Sequence, residues 1–284
     1  MNVKTVFRTR TSKSAALLGA VAGVAALSLA ATTADAADAT AGHRPPAQKP
    51  TVVLVHGAFA DSSSWNGVIK RLKRDGYPVI APANPLRGLA GDAAYVHSVL
   101  KSVKGPIVLA GHSYGGSVIS QAAADSPNVK ALVYIAAFAP DKGESALELS
   151  NKFPGSTLGP TLNSVPFPLP GGGTGTDLYI KADKFHDQFA ADVPRSVTAL
   201  MAATQRPVAA SALEEKATET AWKTIPSWDL IATKDYNIPP AAQRFMAERA
   251  HARTVEVKAS HAVSVSQPGA VTRVIEQAAR STTR

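Results

Sequence analysis

The sequence predicts an α/β protein built on a mostly parallel sheet, and three observations predict it. Short β-branched apolar runs recur along the chain, and each is followed by a segment whose apolar residues fall at helical spacing. The connections between them are short, as in strand-helix-strand units. Serine, aspartate and histidine then stand, in that order, just after three of the runs, where parallel sheets gather their ligands.

"TVVLVHG", from residue 51, predicts a strand buried on both faces. Ser63 to Arg74 predicts a helix with Trp65, Val68, Ile69 and Leu72 on one face. "YPVIAP" is the next strand, and "GDAAYVHSVLKSV" the next helix, with Tyr95 and Val99 expected inward. "PIVLAG" leads into the helix "GGSVISQAAADS", and "VKALVYIAAF" is a fourth strand. The alternation breaks at Pro140 and resumes near 224. The intervening stretch, about 140–224, predicts an inserted lid of loops and short helices without a strong strand. Within it, "PGGGTG" lacks the Lys-Ser/Thr of a phosphate loop and predicts a turn or hinge. "SWDLIAT", "PPAAQRFMAERA", "RTVEVKA" and "PGAVTRVIEQAAR" complete the domain as strand, helix, strand, helix, the last opening on proline.

The first 36 residues differ from the rest. Arg8, Arg10 and Lys13 precede "AALLGAVAGVAALSLA", and small residues follow to Ala34-Asp35-Ala36, which predicts a secretory signal peptide cleaved after Ala36. Residues 37–50, with three prolines, are expected to be a flexible leader to a domain spanning 51–284. The expectation is an exported chain with no stable membrane insertion after cleavage. The chain has 45% hydrophobic and 18% charged residues and no cysteine. That composition excludes a thiol nucleophile, a disulfide scaffold and a cysteine zinc site. The formal charge is +9, but the basic residues are scattered without a block or interleaved aromatics, so no nucleic-acid partner is expected.

"GHSYGG" carries the chemistry. Gly111 and Gly115 flank Ser113 at a strand-to-helix switch, where a sharp turn exposes the hydroxyl. A neutral serine is a poor nucleophile and needs an imidazole to take its proton. Six histidines are set aside by position. His43 is in the leader, His97 on a helix, and His251 in the turn after one. His56 and His112 adjoin the candidate site as shaping residues, and His186, in the insertion, is a candidate pocket-lining residue. His261 remains, on the loop after the last strand. Asp235 is the carboxylate expected to fix its tautomer, with Asp229 as the alternative if the strand register differs. The backbone N–H groups of Ala58 and Tyr114 are the expected oxyanion donors, Phe59 being the lesser candidate for the first.

Together, "VVLVHGAFADSSSW", "GHSYGG", "ATKD" and "SHAVSVSQP" resemble the α/β-hydrolase superfamily, and within it the small bacterial esterase-like enzymes similar to plant methylesterases and hydroxynitrile lyases. The resemblance implies the same triad, the same two oxyanion donors and no cofactor, and no metal is expected. The chain departs from the full eight-stranded fold by starting at what would be its third strand, so a sheet of about six strands is expected. Another departure is Ala232, where relatives often carry glycine.

The expected activity is hydrolysis of carboxylic esters of small to medium hydrophobic substrates through an acyl-enzyme. Phe59 and Tyr114 are expected beside the substrate, and Phe153, Phe167, Phe185, Phe189, Leu200 and Met201 of the insertion are candidate walls. The alternatives are a cofactor-free, haloperoxidase-like perhydrolase and a catalytically silent binding protein of the same fold. A carboxylate-nucleophile enzyme is excluded by the serine.

Overall fold

The computed structural model describes residues 49–282. The expected signal peptide and nearly all of the leader lie outside these residues. No helix among them is long and apolar enough to cross a membrane.

Strand β1 (Thr51–Val55) is followed by a 3-10 turn at Ser62–Trp65 and by α1 (Asn66–Arg74). Strand β2 (Val79–Ile80), α2 (Leu89–Ser102), β3 (Ile107–His112), α3 (Tyr114–Ala122) and β4 (Val129–Ile135) complete the first half. The insertion carries α4 (Ala146–Asn151), α5 (Leu158–Thr161), β5 (Leu162–Pro168), β6 (Thr174–Ile180), α6 (Ala182–Phe189), α7 (Arg195–Thr204), β7 (Val208–Ala209) and α8 (Ala210–Glu214). The chain then returns through β8 (Ser227–Ala232), α9 (Pro240–Arg249), β9 (Arg253–Val257), α10 (Val263–Ser266) and α11 (Pro268–Ser281).

Six strands form one parallel sheet in the order β2-β1-β3-β4-β8-β9. Alternate residues of each strand feed opposite faces, which explains why β1 and β3 are apolar apart from Thr51 and His112 at their ends. One face buries Val52, Leu54, Val108 and Val133 against Trp65 of the 3-10 turn, Leu72 of α1, and Val271 and Ile275 of α11. The other buries Val53, Val55, Leu109 and Tyr134 against Val96, Val118 and Met246 of α2, α3 and α9, and against Phe185 and Phe189 of the insertion. Each fully buried large side chain contributes roughly 1.5–3 kcal/mol.

Two sequence expectations are corrected. The insertion is not only loops and short helices, because β5, β6 and β7 form a three-stranded antiparallel sheet. Its prolines disguise it: Pro166 and Pro168 lie on β5, an edge strand that tolerates missing N–H donors. "PGGG" is the hairpin turn, with Gly172 and Gly173 at φ values of 88° and 86°. The second correction concerns α2, whose buried face is Leu89, Asp92, Ala93, Val96 and Leu100, while Tyr95 is exposed. Leu89, Ala93, Val96 and Leu100 recur at helical spacing, and the buried Asp92 shares their face because its carboxylate is paired. It accepts from Arg87 N at 3.1 Å and from Tyr114 Oη at 2.9 Å.

Candidate active site

The loops after β1, β3, β8 and β9 lie at the carboxyl end of the sheet and bring Ala58 and Phe59, Ser113 and Tyr114, Asp235, and His261 respectively. Ser113 sits between β3 and α3 with φ 56° and ψ −126°, a sparsely populated backbone conformation that costs a non-glycine residue roughly 1–3 kcal/mol. The turn is held on both sides. Ser113 O accepts from Gly116 N at 2.9 Å and Phe138 N at 3.1 Å. A Cβ at Gly115 would lie 2.5 Å from Val55 O, so only glycine lets α3 start this close to β1.

His261 and Asp235 are paired and buried. His261 Nδ1 lies 2.6 Å from Asp235 Oδ2, with the two residues 1% and 3% exposed. Three further donors hold the carboxylate. Asn237 N and Ile238 N reach Oδ1 at 2.7 and 3.0 Å, and Gln243 Nε2 reaches Oδ2 at 2.9 Å. With Asp235 on Nδ1, the Nε2 of His261 is the nitrogen left for a reacting hydroxyl. Asp229, the alternative acid, is instead buried within β8 opposite Tyr134 of β4, and its Oδ1 has no partner among the described residues. Burial raises its carboxyl well above the ordinary range. Ser113 Oγ makes no hydrogen bond among the described residues.

The imidazole is further clamped by the insertion. Phe189 meets the His261 ring edge to face at 5.0 Å, and its carbonyl accepts from Ala262 N at 2.9 Å. Ser260 Oγ donates to Asp192. From the other side, His112 Nε2 donates to His261 O at 2.8 Å, with the two rings 4.7 Å apart. Burial, and then the proximity of His261, pushes the His112 imidazole down to about 3, so the ring is neutral.

Of the candidate oxyanion donors, Phe59 N–H is taken by Arg206 O at 3.0 Å. Ala58 N–H makes no hydrogen bond among the described residues. Tyr114 N–H, as the first in α3, falls outside the helical ladder. A Cβ at Gly57 would lie 2.7 Å from the Ser113 Cβ, so the β1 loop is pressed directly onto the Ser113 turn.

Ser113, Ala58 and Phe59 line a cavity of about 150 Å³, walled mainly by Phe138, Leu158, Leu162, Leu178 and Ile238. His186 is not among the lining residues: its Nδ1 lies 3.2 Å from Thr198 Oγ1, tying α6 to α7. None of Phe153, Phe167, Phe185, Phe189, Leu200 and Met201, the expected walls of the insertion, lines this cavity. Phe185 and Phe189 are buried in the core, where they seal the insertion to the sheet, and Leu200 is 70% exposed. The Tyr114 ring is buried under α2, bonded to Asp92, away from the cavity lining. Gln188, Asn237 and Gln243 were not singled out by the sequence, which gives amides no distinctive spacing. No three His, Asp or Glu side chains converge as a metal site among the described residues.

A family model described as "Alpha/beta hydrolase family" matches residues 52–274. The chain is 28% identical over 255 residues to the Alpha/beta hydrolase nvfD of Aspergillus novofumigatus, covering 81% of this chain and 97% of that one. It is 32% identical over 113 residues to the carbendazim hydrolyzing esterase of a Nocardioides species, covering 35% of this chain and 47% of the relative. This chain thus spans about half the length of that esterase. Among solved structures, polyneuridine aldehyde esterase superposes with a TM-score of 0.71 at 19% identity, covering 81% of this chain and 99% of the other. An extracellular alpha/beta-hydrolase from a Paenibacillus species superposes with a TM-score of 0.65 at 24% identity, covering the same shares. At these identities the structural likeness shows the fold.

Proposed function

The chain belongs to the alpha/beta hydrolase family, and from that premise we propose a serine hydrolase that cleaves carboxylic esters through an acyl-enzyme. The observation that carries the reading is the strained Ser113 on the wall of a small apolar cavity whose loops also bring the His261–Asp235 pair. In the substrate complex the Ser113 hydroxyl closes on His261 Nε2, a bond that in free enzymes often forms only on binding. Attack on the ester carbonyl moves the serine proton to the imidazole, and Asp235 stabilises the imidazolium. The N–H groups of Ala58 and Tyr114 receive the oxyanion. Collapse expels the alcohol with the proton from His261. Water then attacks the acyl-enzyme by the same route, releasing the acid.

The cavity is smaller than most ligand pockets and mostly apolar, which favours small to medium hydrophobic esters. Names of relatives point the same way, since one is an esterase of carbendazim and another of polyneuridine aldehyde. Hydrolysis of p-nitrophenyl acetate and butyrate tests the reading. Turnover is expected in the wild type, with kcat about 10⁴-fold lower or less in Ser113→Ala. Equal turnover in both proteins contradicts it. We also propose export: a secreted chain whose mass corresponds to a start at Ala37 supports this, and a retained, uncleaved chain contradicts it.

A further inference from the structure

Asn237 is 3% exposed and lines the same cavity as Ser113. Its hydrogen-bonding groups can be accounted for one by one. The backbone N–H donates to Asp235 Oδ1 at 2.7 Å. The backbone carbonyl accepts from Ser156 Oγ at 2.9 Å and Ser150 Oγ at 3.3 Å. The side-chain oxygen accepts from Gln188 Nε2 at 2.8 Å.

The orientation of both amides follows from their neighbours. Gln188 reaches the carbonyl of Tyr236 at 2.9 Å, and a carbonyl only accepts, so the Gln188 atom there is nitrogen. Its oxygen is then the atom that takes Thr157 Oγ1 at 2.9 Å. The Gln188 NH₂ therefore also faces Asn237, which must answer with its oxygen. That leaves Asn237 Nδ2, which has no acceptor among the described residues.

The cavity wall is mostly apolar, with Ser150, Asn151, Ser156 and Glu214 as its other polar residues besides Ser113, and a donor held unpaired in such a wall discriminates strongly. A ligand that offers no acceptor leaves the donor desolvated, whereas one that offers an oxygen pairs it. We propose that Asn237 Nδ2 is a specificity-determining donor, and that the preferred substrates are esters carrying a second acceptor oxygen, carbonyl or ether, besides the reacting carbonyl. The inference rests on the ester-hydrolase reading of this site and narrows it. Ala58 and Tyr114 are reserved for the reacting oxygen, so Asn237 addresses another part of the ester.

The test uses matched pairs of esters bound to Ser113→Ala, which takes no turnover. The pairs are methyl 4-oxopentanoate with methyl pentanoate, methyl methoxyacetate with methyl butyrate, and 2-methoxyethyl acetate with butyl acetate. At least one oxygen-bearing partner is expected to bind about tenfold more tightly than its match. Adding Asn237→Leu is expected to bring that ratio close to one. Asn237→Asp, which keeps the shape and replaces the donor by an acceptor, is expected to abolish the preference too, and it guards against a misfolded leucine variant. Equal affinities in all three pairs, or a preference that survives both substitutions, overturns the proposal. Fluorophosphonate labelling of Ser113 is read separately, so failure of the nucleophile assignment is told apart from failure at Asn237.

Discussion

His56 Nδ1 lies 3.0 Å from the carbonyl oxygen of Gly57. The tautomer is fixed by the other nitrogen, because Nε2 sits 3.0 Å from the N–H of Asn84 and must accept from it. Nδ1 therefore carries the proton and donates to Gly57. In a trans peptide the C=O and the following N–H point in opposite directions. Pinning the Gly57 carbonyl thus aims the N–H of Ala58, the donor assigned to the oxyanion. Burial holds the His56 imidazole below its ordinary value, which keeps this arrangement neutral.

Replacing His56 by Leu is expected to lower kcat about tenfold while KM changes little, because the oxyanion is bound only in the transition state. Steady-state kinetics on p-nitrophenyl butyrate check this split. A change confined to KM contradicts the positioning role.

Gln243 shares Oδ2 of Asp235 with His261 and also accepts from Ala232 N at 3.0 Å, so it fixes the acid loop to the end of β8. Gln243→Leu removes these two bonds and a third, from Nε2 to Ile238 O at 2.9 Å, and is expected to lower kcat/KM about tenfold. Stability measured in parallel separates this from unfolding. A folded variant with full activity contradicts the role.

Much of this was legible in the sequence because period and chain order survive in one dimension. Strand runs such as "TVVLV" and "IVLAGH" read directly as buried parallel strands, and the Ser, Asp, His order placed three residues at three strand ends that the fold brings together. The inserted hairpin was illegible because its edge prolines carry the local signature of a loop. Tyr95 misled because aromatic character outweighed the true spacing of Leu89, Ala93, Val96 and Leu100 around a paired Asp92. His186 misled for a different reason: its place in the insertion was readable, but the α6–α7 contact that turns it away from the cavity is tertiary.

The two carboxylates of the β8 region should behave oppositely. Asp229 is buried, unpaired at Oδ1 and raised above its ordinary 3.8 by burial. Unfolding then releases a proton, so its ionisation costs stability as pH rises from about 3.8 towards the folded value. Asp229→Asn is expected to stabilise the protein at pH 7 by about 1–3 kcal/mol and to gain nothing near pH 3, with activity retained. Asp235→Asn is expected to lose turnover by roughly 10³–10⁴-fold. Denaturant titrations at the two pH values and parallel assays check both. A swap of the two activity results would assign the acid to Asp229.

His112 gives a stability effect of opposite slope. Its folded value of about 3 lies below the ordinary 6.5, so unfolding takes up a proton between these limits. Stability is expected to fall as pH drops from about 6.5 towards 3, and His112→Asn should reduce that slope by one proton. An unchanged slope would mean that the wild-type imidazole is already charged in the folded protein.

The central claim is that Ser113 is the nucleophile, and a fluorophosphonate measures it most directly. After reaction at neutral pH, peptide mass spectrometry is expected to find one adduct, on Ser113, and none in Ser113→Ala. An unlabelled wild-type Ser113, or an adduct that persists on another serine when Ser113 is alanine, contradicts the account.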